Sequence, residues 1–264
     1  MSVFEAILLG IVQGFAEFLP ISSSGHLVLL QKIFNIREGA LTFDIALHLA
    51  TLVAVVFIYR GKIVEIIKRP FSKLPLYIVL GTIPIGILGL LFKDLVESLF
   101  ETGATLGAGF IFTGIILILA ENAGKKERSL DQMKVKDPLL IGTAQAVAML
   151  PAVSRSGMTI STSLALGIDR KTAADFSFLL SIPAILAAVV MDVYDIIQTG
   201  ENTLASIGAG PLVLGMIFAA VSGFFAVKVM IKMIQNRKLK VFSWYLWVLG
   251  ALILLDQLVL HIVF

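Results

Sequence analysis

Gly10-Ile11-Val12-Gln13-Gly14-Phe15-Ala16-Glu17-Phe18-Leu19-Pro20-Ile21-Ser22-Ser23-Ser24-Gly25-His26 and Gly142-Thr143-Ala144-Gln145-Ala146-Val147-Ala148-Met149-Leu150-Pro151-Ala152-Val153-Ser154-Arg155-Ser156-Gly157 are two copies of one phrase. The register aligns Gly10 with Gly142, Gln13 with Gln145, Ser22 with Ser154, Ser24 with Ser156 and Gly25 with Gly157; only the prolines slip by one. Both copies interrupt apolar sequence. Irregular, polar backbone at membrane depth is tolerated only where protein or a water-lined cavity satisfies it. Its appearance at corresponding places in two halves is the mark of a binding site in a repeat-built membrane protein.

Outward from these phrases the chain is apolar. Of 264 residues 58% are hydrophobic and only 15% charged, which excludes an ordinary soluble domain and a nucleic-acid binder. Six uninterrupted stretches, near 42–60, 74–92, 104–121, 172–192, 209–233 and 242–262, reach the length of a spanning helix. The stretches 3–34 and 138–167 are broken at the repeated phrase and read as re-entrant hairpins whose tips meet. The fold predicted is an all-α integral membrane protein: a helical bundle of six full spans plus two re-entrant hairpins. Residues 1–264 form one membrane domain, with repeat 1 at about 1–123, a solvated linker at 124–137 and repeat 2 at about 138–264. Glu5, Gln13 and Glu17 make the first stretch a poor signal peptide. With no cysteine, thiol catalysis and thiolate metal sites are excluded.

Basic residues sort by loop parity. Seventeen of the 21 Lys and Arg fall on one side, in and around loops 61–73 and 124–137 and near 170–171 and 228–240; Lys32, Arg37 and Lys93 fall on the other. The positive-inside rule makes the rich side cytoplasmic, and loops 93–103 and 193–208 external. A hairpin plus three spans is an odd crossing, so the second half enters from the opposite face: an inverted-topology repeat. Gly10/Gly14 and Gly103/Gly107 stand at the small-xxx-small spacing of close helix approach.

Chemistry concentrates in the phrases. Gln13 and Glu17, four apart, share a helix face. A carboxylate at mid-membrane must face the bundle interior or water. It suits a hard divalent cation or a general base, and the plainer reading is a packing or capping carboxylate. Ser22, Ser23, Ser24 and Gly25 open a helix; serines there cap, and a buried helix N-terminus also attracts anions. His26 follows in the first turn. In the second copy Ser154, Arg155 and Ser156 precede Thr159, and Arg155 is the lone basic residue placed within the bilayer. Its planar fork matches a phosphate; pairing with Glu17 is the structural alternative. Asp44 and His48 are read as capping or packing groups, or as support for the site, and Asp175 as a helix cap. Together the groups fit a phosphate carried on a lipid.

Gln13-xxx-Glu17-Phe-Leu-Pro20-x-Ser22-Ser23-x-Gly25-His26, with Pro151-x-x-Ser154-Arg155-Ser156-Gly157-x-Thr159, resembles the bacterial undecaprenyl-diphosphate phosphatase family associated with bacitracin resistance. Phe43-Asp44-x-Ala-Leu-His48-Leu and Phe176-Ser177-Phe-Leu-Leu-x-Ile-Pro183 extend the likeness along the chain. The resemblance implies removal of the terminal phosphate of undecaprenyl diphosphate at the external face of the inner membrane, by a multi-pass enzyme that needs Mg²⁺ or Ca²⁺. By position, Glu17 and Gln13 would hold the metal. Glu17, Ser23, His26 and Arg155 would be catalytic, with Ser23 or His26 the nucleophile. Ser22, Ser24, Gly25, Ser154, Ser156 and Thr159 would bind substrate. Partners implied are the lipid diphosphate and membrane lipids, with homo-oligomerisation left open. Two departures stand out: Gln13 occupies a place where some members have Glu, and Ala152 one where the family usually has Gly. A transporter of isoprenyl phosphates is the alternative that the repeat itself raises.

Overall fold

The computed structural model describes residues 1–36, 39–124, 127–199 and 207–264. Arg37, Lys125, Lys126 and residues 200–206 of the loop expected at 193–208 lie outside the described residues. The described chain is helical; its only strand-like feature is an isolated bridge between Arg128 and Ile168.

Each interrupted stretch is a pair of short helices. The first pair is α1 (Val3–Phe18) and α2 (Ser23–Ile33). A reciprocal Ser2/Glu5 capping box opens α1. It closes at Leu19, which is extended because the ring of Pro20 disfavours helical geometry in the residue before it. The second pair is α7 (Lys136–Val147) and α8 (Arg155–Ala165). Around them stand α3 (Ala40–Lys68), α4 (Lys73–Leu91), α6 (Leu106–Asn122), α9 (Arg170–Thr199), α10 (Ala209–Gln235) and α11 (Lys240–Leu255). α3, α4, α9, α10 and α11 with its terminal extension are long and apolar enough to cross a membrane. This is a multi-pass helical membrane protein.

Two expectations are corrected and a third is qualified. Residues 93–103, read as a loop, contain α5 (Lys93–Thr102), set at 109° to α6. Leu95 and Leu99 recur at helical spacing there, and Lys93 pairs with Glu97 at 3.8 Å. Gly103 is the left-handed residue that stops α5 (φ 66°), not part of a helix-packing seam. The linker is solvated along most of its described length, as expected, but it is tied down at Arg128, Met133 and Asp137. Arg128 donates to the Leu166 and Gln132 carbonyls and to fully buried Asp137, and Met133 enters the core. A buried carboxylate needs such a partner.

The other glycine spacings do mark close approach. A Cβ at Gly10 would collide with the Gly215 backbone of α10, and one at Gly142 with the Gly81 backbone of α4. Gly14 meets Ser222, Ala219 and Gly223 in the same α1–α10 seam, and Gly107 meets Gly250. Without a hydrophobic drive between helices in lipid, such backbone approach supplies the dispersion contact.

The charged groups divide between two ends of the bundle. At one end Lys62 pairs with Asp175 at 2.5 Å, Lys73 donates to the Asp131 carbonyl at 2.5 Å, and Arg170 pairs with Glu121 at 2.5 Å. Asp175 therefore anchors α9 to α3, where it also accepts from Tyr59 at 2.9 Å, and is not a cap. The cap of α9 is Asp169, which accepts from the backbones of Lys171 and Thr172. At the other end Gln257 donates to the Gly103 carbonyl, and Lys32 lies over the Phe264 ring.

Candidate active site

The two breaks meet. Ser22 is the N-cap of α2 and accepts from Gly25 N–H at 3.3 Å; Ser154 is the N-cap of α8 and accepts from Gly157 N–H at 3.1 Å. The hydroxyls of Ser22 and Ser24 lie 3.3 Å apart, those of Ser154 and Ser156 3.2 Å. Ser156 then crosses between the copies, donating to the Leu19 carbonyl at 3.1 Å. A Cβ at Gly25 would strike Ala152, so this glycine lets the second break seat against the first. Thr113 of α6 secures the second break, its hydroxyl accepting Ser154 N–H at 3.1 Å.

Glu17 is the hub, only 7% exposed. One carboxylate oxygen takes the Arg155 guanidinium. The other accepts the Ser23 hydroxyl at 2.7 Å and the Gln13 amide at 3.1 Å, and lies 3.6 Å from His48 Nε2. Two opposite charges at this depth offset each other's desolvation. The ion pair is also incomplete: Arg155 Nη1 and Gln13 Oε1 are buried with no protein partner. Each group belongs on a buried site only with a further partner supplied.

His26 is placed differently from the serines beside it. Its Nδ1 lies 2.7 Å from the Ser22 carbonyl, its Nε2 2.6 Å from the Tyr245 hydroxyl, and Phe110 stands edge-on at 5.1 Å. Neither ring nitrogen touches Ser23. Thr159 bonds Ser177 at 2.6 Å, inside the seam between α8 and α9. Asp44 accepts both oxygens' worth of donation from Gln31, at 2.9 and 3.0 Å, and its backbone carbonyl accepts His48 Nδ1–H. So Glu17, Gln13, Ser23 and Arg155 converge, with Ser22, Ser24, Gly25, Ser154 and Ser156 as the frame beneath them, while His26 sits to one side.

Sequence reasoning passed over Tyr245, Thr113, Phe110 and Ser177. No local pattern distinguishes Tyr245 or Phe110 from the other aromatics of apolar helices, and Ser177, within Phe176–Pro183, is one of several small polar residues on an apolar helix.

Residues 6–252 match the family described as bacitracin resistance protein BacA. The chain belongs to that family. A relative from Carboxydothermus hydrogenoformans named undecaprenyl-diphosphatase is 50% identical over 97% of this chain and 98% of its own length. Undecaprenyl-diphosphatase 3 of Bacillus cereus is 45% identical over the same shares. A Methanobrevibacter smithii relative of the same activity name is 37% identical over 98% of this chain and 99% of its own. The resemblance drawn from the two phrases is thus shown over nearly the whole of this chain.

Proposed function

We propose that this chain hydrolyses undecaprenyl diphosphate to undecaprenyl phosphate and inorganic phosphate, recycling a cell-wall carrier lipid and so countering bacitracin. The observation that carries this reading is the meeting of Glu17 and Ser23 from one break with Arg155 from the other. The relatives bear the name of a phosphatase, and the transporter alternative is not favoured.

In the proposed reaction the terminal phosphate enters over the helix N-termini and takes the free Nη1 of Arg155. Ser23, whose proton already points at Glu17, attacks the terminal phosphorus. The O–H proton passes to Glu17, the Oγ–P bond forms, and the bridging P–O bond breaks to release undecaprenyl phosphate. Water then attacks the phosphoserine, Glu17 relays the proton, and inorganic phosphate leaves with Ser23 restored. Arg155 stabilises charge on the transferring group throughout, the dominant need of phosphoryl transfer. Ser23 is preferred to His26 as nucleophile because only Ser23 bonds the carboxylate.

For a divalent cation the donors fit. Gln13 Oε1 is an orphaned buried oxygen beside the Glu17 carboxylate. One or two protein oxygens, completed by water and substrate phosphate, suit Mg²⁺; Ca²⁺ takes more oxygens of the same kind. Among the described residues no three His, Asp or Glu gather as a group that could hold a metal ion by themselves, so the proposed cation would draw its remaining oxygens from water and substrate. When bound it would neutralise phosphate charge.

We place the basic end in the cytoplasm, the reaction at the external side of the inner membrane, and α1–α2 and α7–α8 as re-entrant hairpins of an inverted repeat with six spans in all. The reciprocal seams support the repeat, α1 lying on α10 through Gly10 and Gly215 and α7 on α4 through Gly142 and Gly81. The activity is tested by phosphate release from a short prenyl diphosphate by purified protein, with and without chelator; no release with metal present refutes it. Orientation is tested by Glu127→Cys and Gln198→Cys with an impermeant thiol reagent on intact cells, where labelling only at 127 would reverse it.

A further inference from the structure

Both nitrogens of His26 are engaged, and only one engagement is internal to its own helix. Nδ1 faces the Ser22 carbonyl at 2.7 Å. A carbonyl only accepts, so Nδ1 carries the proton, and in the neutral ring Nε2 is an acceptor. That acceptor takes the Tyr245 hydroxyl at 2.6 Å. The two rings lie within 10° of parallel, with centroids 5.7 Å apart. Phe110 guards the remaining edge and is fully buried, whereas Tyr245 is 44% exposed. On either side of it along α11, Trp244 and Val248 are exposed as well. One aromatic ring therefore separates a buried imidazole, three residues from Ser23, from the apolar outer face of the bundle. A substrate whose tail is a polyprenyl chain can reach the breaks from that face without leaving the bilayer.

We infer that Tyr245 is the entrance residue of the site: a positioning group that caps His26 Nε2 at rest and turns aside when a prenyl diphosphate enters laterally beside α11. The identity of the ligand rests on the proposed function; the capping does not. A neutral hydroxyl–imidazole bond is a suitable latch, because its net worth of about 0.5–1.5 kcal/mol is small enough to be given up when a substrate enters. Uncapped, His26 Nε2 presents its lone pair to the entrance; capped, it is closed to small electrophiles.

The test is carbethoxylation of His26 by diethylpyrocarbonate in the detergent-solubilised full chain, with sites mapped by mass spectrometry, for the wild type and Tyr245→Phe. The variant keeps the ring and removes only the hydroxyl. His26 should react faster in Tyr245→Phe by about two- to twelvefold, the factor a net hydrogen bond is worth, while His48 reacts at an unchanged rate. In turnover of a short prenyl diphosphate, Tyr245→Phe should lower KM with kcat less affected; a merely structural tyrosine would leave KM alone and lower the melting temperature. Equal His26 rates in the two proteins, or a raised KM in a variant that melts normally, overturn the inference. Faster modification with no phosphate release from either protein upholds the cap and refutes the phosphatase reading.

Discussion

The two breaks carry the same backbone device and opposite chemistry. In each, a serine N-cap accepts from a glycine N–H three residues on and touches a second serine two residues on. Each also holds a non-glycine residue in the left-handed region, Ser22 at φ 69° and Ala152 at φ 62°. Yet four residues beyond Gln13 stands Glu17, and four beyond Gln145 stands Met149. The first copy supplies the acid and hydroxyl, the second the guanidinium. Gln13 donates to Glu17, whereas both polar ends of fully buried Gln145 lack a protein partner. The repeated phrase thus sets the frame of two buried helix N-termini, and divergence of two or three side chains gives one frame the Glu17 carboxylate and the other the Arg155 guanidinium.

The sharpest way to break this comparison is Glu17→Gln. Turnover should vanish at saturating Mg²⁺, because an amide supplies neither the charged oxygen for a cation nor a base for Ser23. Gln13→Glu should keep activity and tighten Mg²⁺ binding, read by titration calorimetry. Near-normal turnover in Glu17→Gln would mean that the first copy is not the chemical one.

Next in size is the clamp. Arg155→Ala should lose about 10³ or more in rate, as loss of a charge stabiliser in phosphoryl transfer does. Arg155→Lys should remain severely impaired, since an ammonium cannot span two phosphate oxygens. Turnover at saturating substrate reads both. The same variants separate chemistry from packing. Breaking a buried pair costs about 3–5 kcal/mol, so either single neutral variant should melt earlier in detergent. The double variant Arg155→Gln/Glu17→Gln should recover most of that loss while staying inactive. A double variant that regains turnover would reduce the pair to a structural one.

A smaller effect sharpens the contrast between the glutamines. Gln145→Leu should retain activity and raise thermal stability, because an unsatisfied buried amide costs about 1–3 kcal/mol. Gln13→Leu should damage turnover. If Gln145→Leu also abolishes phosphate release, the two glutamines serve the site alike and the contrast between them fails. Smallest of all is Ala152→Gly. Left-handed geometry disfavours alanine by about 1–2 kcal/mol, and losing one buried methyl gives back about 0.8 kcal/mol. The melting temperature should rise slightly with turnover unchanged.

Several features were readable because their causes are local. A proline and a capping serine end and restart a helix wherever they stand, so both breaks were visible from Pro20/Ser22 and Pro151/Ser154. Continuous apolar length, which only a bilayer or a deep core can accommodate, likewise marked the long helices. α5 escaped because its apolar positions are few and interleaved with Asp94, Glu97 and Glu101, which reads as a polar loop. The tying down of the 124–137 segment escaped because it depends on Arg128 reaching Leu166 and Asp137, a contact no spacing announces.

What the sequence determined by itself is the helical membrane class, the duplicated break, and the short roster of polar residues that cannot stand at depth without partners. Burial in an apolar medium is costly enough that residue type alone exposes them. What only the tertiary structure decided is how they pair. Glu17 and Arg155 are separated by more than half the chain, and Ser23 rather than His26 reaches the carboxylate. His26 is closed by Tyr245, which lies farther along the chain still. Those choices follow from which helix backbones approach closely at Gly10–Gly215, Gly142–Gly81 and Gly25–Ala152, and close packing of two helices is a property of both surfaces at once.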